Sequence, residues 1–235
     1  MGPGVLLVTG WPIPPAIPPT PLAPARGGIA PIGTEPLLLE AASYFGCPIG
    51  FADWHEGQVL QNIYPQRERS TSQQASNSVY LEIHTETAFR PTTPDFVLLL
   101  CLRGGAGAST LVANSQMALS GLRSDIREAL GEKAYFFNST ELDGRRIYHS
   151  IVDASGRIQF AEAIIGATDR HRRALAAFRA MVVRSASRVD LRPGDLLVLD
   201  NRRVVHGRTA YRPRYDGTDR WLQRCVTRLN VGEAP

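Results

Sequence analysis

Residues 79–86 read VYLEIHTE, an alternation of apolar and polar positions that predicts a half-buried strand. Side chains alternate faces along a strand, so Tyr80, Glu82, His84 and Glu86 share one side of it. An imidazole and a carboxylate two residues apart on a rigid element are two thirds of a facial metal site. The third ligand has to be a histidine from a distant part of the chain. The common occupant of such a two-histidine, one-carboxylate triad is non-haem Fe(II), with positions left open for substrate and O2.

Strands dominate the rest of the chain. Residues 4–10, 58–64, 95–102 (DFVLLLCL), 194–200 (GDLLVLD), 204–208 and 221–231 (WLQRCVTRLNV) read as strands, with shorter ones within 145–163 around Asp153 to Gly156. Three helices are expected: one over 35–45, a single amphipathic helix over 115–130 closed by Gly131, and one over 169–185. Arg170, His171, Arg172 and Arg173 on the last read as a solvated face, and His55 and His149 as structural or surface residues. Residues 11–35, rich in Pro, Gly and Ala, predict an extended arm wrapping a core or, in part, a disordered tail. Residues 67–77 form a long polar loop of the kind that serves as a lid. The expectation is one domain over 1–235, mainly β with flanking helices: a Pro-rich arm over 1–35 and a sandwich or barrel core over 58–231 with a helical insert.

Composition limits the partners. The 43% apolar content of 235 residues can fill a sizeable core. A net charge of +4 comes from arginines scattered among acids, with no basic run and no stacking-aromatic motif. That pattern speaks against nucleic acid and fits an anionic small molecule. The N-terminus carries neither a signal-like charge pattern nor an apolar run of membrane length, so no membrane association is expected. Three widely spaced cysteines, Cys47, Cys101 and Cys225, predict a reducing cytoplasm, with Cys101 and Cys225 as small core residues. Gly105-Ala106-Gly107 imitates the start of a dinucleotide fingerprint, but the third glycine is missing and TLVAN follows instead of a helix. Nucleotide binding is not expected there.

His206 is the candidate third ligand, held rigid by an expected strand–turn–strand hairpin. Arg220 follows fourteen residues later and Arg224 four beyond that, so both guanidinium groups face one side of the last strand. Two arginines aimed into a metal pocket call for anions, and a carboxylate is the natural partner. Thr110, just past the glycine-rich loop, can add a hydroxyl. The alternative for Arg220 is a surface pair with Asp219 or Asp216.

On these pieces the chain resembles the Fe(II)/2-oxoglutarate-dependent oxygenases, in the clavaminate-synthase-like branch near the taurine-dioxygenase group. The resemblance rests on HTETAFRPTTPDFVLLLCLR at 84–103, TLVAN at 110–114 and GDLLVLDNRRVVHGRTAYRPRYDGTDRWLQR at 194–224. It implies a double-stranded β-helix, the jelly roll of cupin-like proteins. It also implies Fe(II) on His84, Glu86 and His206, and 2-oxoglutarate held through its distal carboxylate by Arg220 with Thr110. Arg224 would meet the α-carboxylate of an amino-acid substrate, with Gln61 nearby. The implied reaction consumes 2-oxoglutarate and O2, releases succinate and CO2, and hydroxylates an unactivated C–H. Desaturation, cyclisation or epoxidation would use the same residues. Retention of Glu86 speaks against halogenation, and the intact set of Glu86, His206 and Arg220 speaks against a non-catalytic binding module.

One departure bears on substrate. Relatives acting on arginine or asparagine carry an acid where this chain has Ala161, within Gln159-Phe160-Ala161-Glu162-Ala163. A buried guanidinium would lose its partner there, so free arginine is not the expected substrate unless Glu162 takes the acid's place.

Overall fold

The computed structural model describes residues 3–23, 29–53, 57–67, 78–105, 107–137, 141–142 and 145–229. In chain order the elements are β1 (Val5–Val8), α1 (Glu35–Ser43), β2 (Cys47–Ile49), β3 (Leu60–Ile63), β4 (Leu81–His84), β5 (Phe96–Arg103) and β6 (Thr110–Asn114). Then come α2 (Ser115–Ser120), α3 (Ser124–Gly131), β7 (Tyr135–Phe137), β8 (Glu141–Leu142), β9 (Arg145–Arg146), β10 (Ile164–Gly166) and α4 (Asp169–Ser185). The chain closes with β11 (Ser187–Val189), β12 (Leu196–Asp200), β13 (Val204–Arg208) and β14 (Trp221–Arg228).

Two antiparallel sheets stack on one another. A six-stranded sheet runs β1-β12-β5-β14-β2, with β3 also on β14, and a four-stranded sheet runs β11-β6-β13-β4. Strand β5 explains the packing. Val97, Leu99 and Cys101 point between the sheets, while Leu98, Leu100 and Leu102 point outward against α1 and the N-terminal arm. Both faces are dry, which is why its sequence is continuously apolar. On the other sheet Val112 and Val204 point inward, and Ile83, Ala113 and Val205 pack on α2, α3 and α4. The layers are therefore arm and α1, large sheet, small sheet, helices: a jelly roll with flanking helices, as expected. No described helix is long and apolar enough to cross a membrane.

The described part of the arm wraps the outer face of the large sheet through Trp11, Ile13, Ile17, Ile29 and Ile32. Thr20 ties it down, its hydroxyl donating to the Asp219 carbonyl at 2.6 Å. The loop read as a lid lies, over 68–77, outside the described residues, as does His55.

Several expectations are corrected. Strands β12 and β13 do not form a hairpin: β12 pairs with β1 and β5, β13 with β4 and β6, and residues 201–203 turn the chain from one sheet to the other. The helix over 115–130 is two helices. It breaks at Gly121, where a Cβ would come within 2.5 Å of Met181 Cε, and the break lets both halves pack on α4. The short strands expected within 145–163 reduce to β9 and the isolated bridges Tyr135–His149 and Val152–Ile158, the latter closing a tight turn at 153–156 whose Asp153 carboxylate accepts from the Ser155 and Arg157 amides. His171 is buried rather than solvated, with Nε2 2.7 Å from Glu132 Oε2 and Nδ1 2.8 Å from Thr168 Oγ1.

Candidate active site

The two candidate histidines meet across neighbouring strands of the small sheet. His206 on β13 lies directly opposite His84 on β4, with ring centroids 4.6 Å apart. A bulge in this pair puts Leu81, not Glu82, in the cavity beside His84. It depends on Gly207, where a Cβ would sit 2.6 Å from the Leu81 carbonyl oxygen. Tyr80 and Glu82, expected on the His84 side, instead sense Glu162 and, for Glu82, Arg179.

Strand β4 also ends at His84, so Glu86 is not on it. The chain turns through Thr87 at φ +52° and Glu86 is aimed by a distant residue. Asn201, fully buried in the corner between β12 and β13, accepts the Glu86 amide on Oδ1 at 2.6 Å and donates from Nδ2 to the Pro94 carbonyl at 2.9 Å. The sequence showed Asn201 only as a turn former.

The three groups suit a divalent ion. Their ligand atoms lie within 4.8 Å of one another. His206 Nε2 is 3.7 Å from Glu86 Oε2, too long for a hydrogen bond and short enough for both to reach one ion at roughly 2.0–2.2 Å. His84 Nδ1 donates to the Glu82 carbonyl at 2.7 Å, which leaves Nε2 as the ligand atom. His206 Nδ1 is buried with no hydrogen-bond partner among the described residues. Burial and then His206 push His84 down to about 4. Burial alone would raise the Glu86 carboxyl, but Arg224, His206 and His84 outweigh it and hold it below the usual range. A neutral His84 and an ionised Glu86 beside His206 form a donor set that fits Fe(II).

The facing wall belongs to the large sheet. Arg220, Leu222 and Arg224 of the β14 segment, with Ile63 and Leu99, close a cavity of about 130 Å³ against His84, Glu86, His206 and Thr110. Arg220 makes no pair with Asp219 or Asp216. Asp219 accepts from the Arg214 and Tyr215 amides, and Asp216 binds Thr218. Arg220 is buried and donates to Thr110 Oγ1 at 3.3 Å, and burial lowers its pKa. The glycine-rich loop has its purpose here: a Cβ on Gly105 would meet Arg220 Cβ at 2.7 Å. Arg224 Nη1 lies 2.9 Å from Glu86 Oε2, and its Nε donates to Gln61 Oε1 at 2.9 Å. Gln61 thus reaches the cavity only through Arg224.

Ala161 packs at the edge of the helical core, and the Glu162 carboxylate pairs with Arg179 of α4 at 2.8 Å. Cys101 and Cys225 are fully buried with thiols pushed up to about 12, core residues as expected, whereas Cys47 is exposed.

Comparison with known proteins gives the same picture. Residues 132–226 match the Taurine catabolism dioxygenase TauD, TfdA family. The chain is 33% identical to L-asparagine oxygenase of Streptomyces coelicolor over 236 residues, 94% of this chain and 70% of the relative. It is 31% identical to L-lysine 3-hydroxylase of Catenulispora acidiphila over 245 residues, 95% of this chain and 67% of the relative. The structure of asparagine oxygenase in complex with Fe(II), 2S,3S-3-hydroxyasparagine and succinate superposes with a TM-score of 0.85 at 32% identity, over 95% of this chain and 74% of that one. The chain belongs to the TauD/TfdA family of Fe(II)/2-oxoglutarate-dependent oxygenases, in its clavaminate-synthase-like branch.

Proposed function

We propose that this protein hydroxylates an unactivated C–H of an amino acid or amino-acid-derived metabolite, consuming 2-oxoglutarate and O2 and releasing succinate and CO2. The observation that carries this reading is the convergence of His84, Glu86 and His206 opposite buried Arg220 and Arg224 in one cavity. Relatives named for hydroxylating asparagine and lysine support the amino-acid class.

His84, Glu86 and His206 hold Fe(II), and Asn201 keeps the Glu86 backbone in place for it. Bound Fe(II) supplies O2 activation coupled to oxidative decarboxylation of 2-oxoglutarate, one oxygen atom going to succinate and one to the substrate carbon. Arg220 and Thr110 take the distal carboxylate of 2-oxoglutarate and so fix the other end of the co-substrate towards the ion. Arg224, set by Gln61 and Glu86, receives the substrate α-carboxylate beside the metal. Ile63, Leu99 and Leu222 keep the cavity apolar around these charges and exclude water from the reaction. With Ala161 at the acid's position and Glu162 turned to Arg179, the substrate side chain is less polar than that of arginine. A cytoplasmic location suits the unpaired cysteines and metabolite substrates.

The test is aerobic incubation with Fe(II) and 2-oxoglutarate against a panel of free amino acids, following succinate and substrate mass together. Succinate coupled to a one-oxygen mass gain on one amino acid is expected. Absence of succinate under all conditions contradicts the reading, and efficient turnover of free arginine contradicts the assignment of Ala161.

A further inference from the structure

We propose that Gln159 is a positioning residue for the metal carboxylate, holding from behind the strained turn on which Glu86 sits; this rests on the reading of His84, Glu86 and His206 as an Fe(II) site.

Glu86 lies outside any described strand, yet the chain on both sides of it is gripped by one dipeptide, Gln159-Phe160. Before it, the Thr85 amide donates to the Phe160 carbonyl at 2.7 Å, and the Thr85 hydroxyl accepts from the Phe160 amide at 3.1 Å. After it, Gln159 Nε2 donates to the carbonyls of Ala88 at 2.6 Å and Arg90 at 3.0 Å. Both acceptors are carbonyl oxygens, so only the amide NH2 of Gln159 can satisfy them. The dipeptide is itself fixed. Phe160 packs edge-on against Phe178 of α4, the Gln159 backbone amide donates to the Ile151 carbonyl, and the Ile158 amide donates to the Arg202 carbonyl beside Asn201.

What this clamp restrains is Thr87. It has φ +52°, a region that β-branched residues avoid, and its buried hydroxyl has no hydrogen-bond partner among the described residues to compensate. Such a conformation persists only where the surroundings impose it. The bonds to Thr85 on one side and to Ala88 and Arg90 on the other impose it here. Without the Gln159 amide the turn relaxes, and Glu86, one residue away, swings out of line with the two histidines. The rival role is plain support of the fold, in which Gln159 adds stability and does nothing for the metal.

Calorimetric titration of the metal-free protein with Zn(II), together with the visible spectrum of the Co(II)-loaded protein, tests the proposal without turnover. Gln159→Glu keeps the shape but turns a carboxylate that cannot donate towards the two carbonyls. It should raise the Zn(II) Kd about tenfold or more and shift the Co(II) bands, because the Glu86 oxygen moves relative to the histidines. In a Thr87→Gly background, where glycine takes the positive φ without strain, that penalty should shrink to less than about threefold. Should Gln159→Glu not fold, Gln159→Met decides, since it removes both donors and adds no charge; the same weaker Zn(II) binding and shifted bands are expected. Parent-like Zn(II) affinity and Co(II) bands in a folded variant overturn the proposal in favour of plain support, and so does an equal penalty in both backgrounds. Failure of the parent protein to bind Zn(II) overturns the metal-site reading as well, whereas parent binding that Glu86→Ala abolishes and both Gln159 variants spare overturns this proposal alone.

Discussion

Asn201 Oδ1 accepts the backbone amide of Glu86 at 2.6 Å, joining residues 115 apart in sequence at the corner where the chain changes sheets. A candidate metal ligand outside any described strand is thereby tied to the corner between β12 and β13.

Asn201→Ala should therefore act on the metal more than its distance from the ion suggests. Loss of such a support costs roughly 10–100-fold in metal affinity, and the orphaned buried groups cost roughly 1–3 kcal/mol of stability. Fe(II) titration of the metal-free variant, alongside its denaturant midpoint, measures the two effects separately. Parent-like affinity would remove Asn201 from the site.

Arg224→Gln should destabilise the metal-free protein strongly, because it leaves the Glu86 carboxylate buried without its guanidinium partner. Breaking a buried pair of this kind costs roughly 3–5 kcal/mol. A bound divalent ion takes over the neutralising role, so the Tm deficit should shrink when Zn(II) is added and reappear with a chelator. An equal deficit in both states would show that Arg224 and the metal do not share Glu86.

Gly105→Ala is predicted to be a selective lesion. The glycine has an ordinary backbone conformation, so the cost comes from the Cβ that would meet Arg220 Cβ at 2.7 Å. Displacing Arg220 by a fraction of an ångström should raise the KM for 2-oxoglutarate about tenfold or more, with a stability loss of roughly 1–3 kcal/mol from overpacking. The KM for the amino acid should hardly move. A uniform fall in kcat with both KM values intact would place the effect elsewhere.

Acidification should weaken the fold through His149. Its ring stacks on Phe137 with centroids 5.5 Å apart, and burial holds its pKa below the ordinary 6.5. The unfolded chain therefore binds more protons at this site once the pH drops below about 6.5. Stability from His149 is complete above that pH and declines as pH falls towards the depressed folded value. His149→Phe should lose less Tm than the parent between pH 7.5 and 5.5; identical pH slopes would rule out the contribution.

Much of this architecture could be read from the sequence, for physical reasons that also mark where reading stops. The run DFVLLLCL has no polar alternation because both faces of β5 are covered, and it was legible as a buried strand. The helix over 169–185 matches α4 because its cap, periodicity and length agree. Periodicity does not say which sheet a strand joins, so GDLLVLD and VVHGR looked like one hairpin although they lie in different sheets. Alternation likewise misplaced Tyr80 and Glu82, because a bulge that depends on Gly207 resets the faces of β4. The helical pattern over 115–130 runs through Gly121, and only contact with Met181 reveals the break. Among the candidate site residues, His84, Glu86, His206, Thr110, Arg220 and Arg224 line one cavity, with Gln61 behind Arg224.

The most direct measurement is anaerobic calorimetric titration of the metal-free protein with Fe(II), followed by 2-oxoglutarate. One ion per chain is predicted, lost in His84→Ala, Glu86→Ala and His206→Ala, with 2-oxoglutarate binding far more tightly after the ion than before it. Retention of Fe(II) by all three variants, or 2-oxoglutarate affinity indifferent to the metal, would contradict the assignment of this cavity as the centre of an oxygenase.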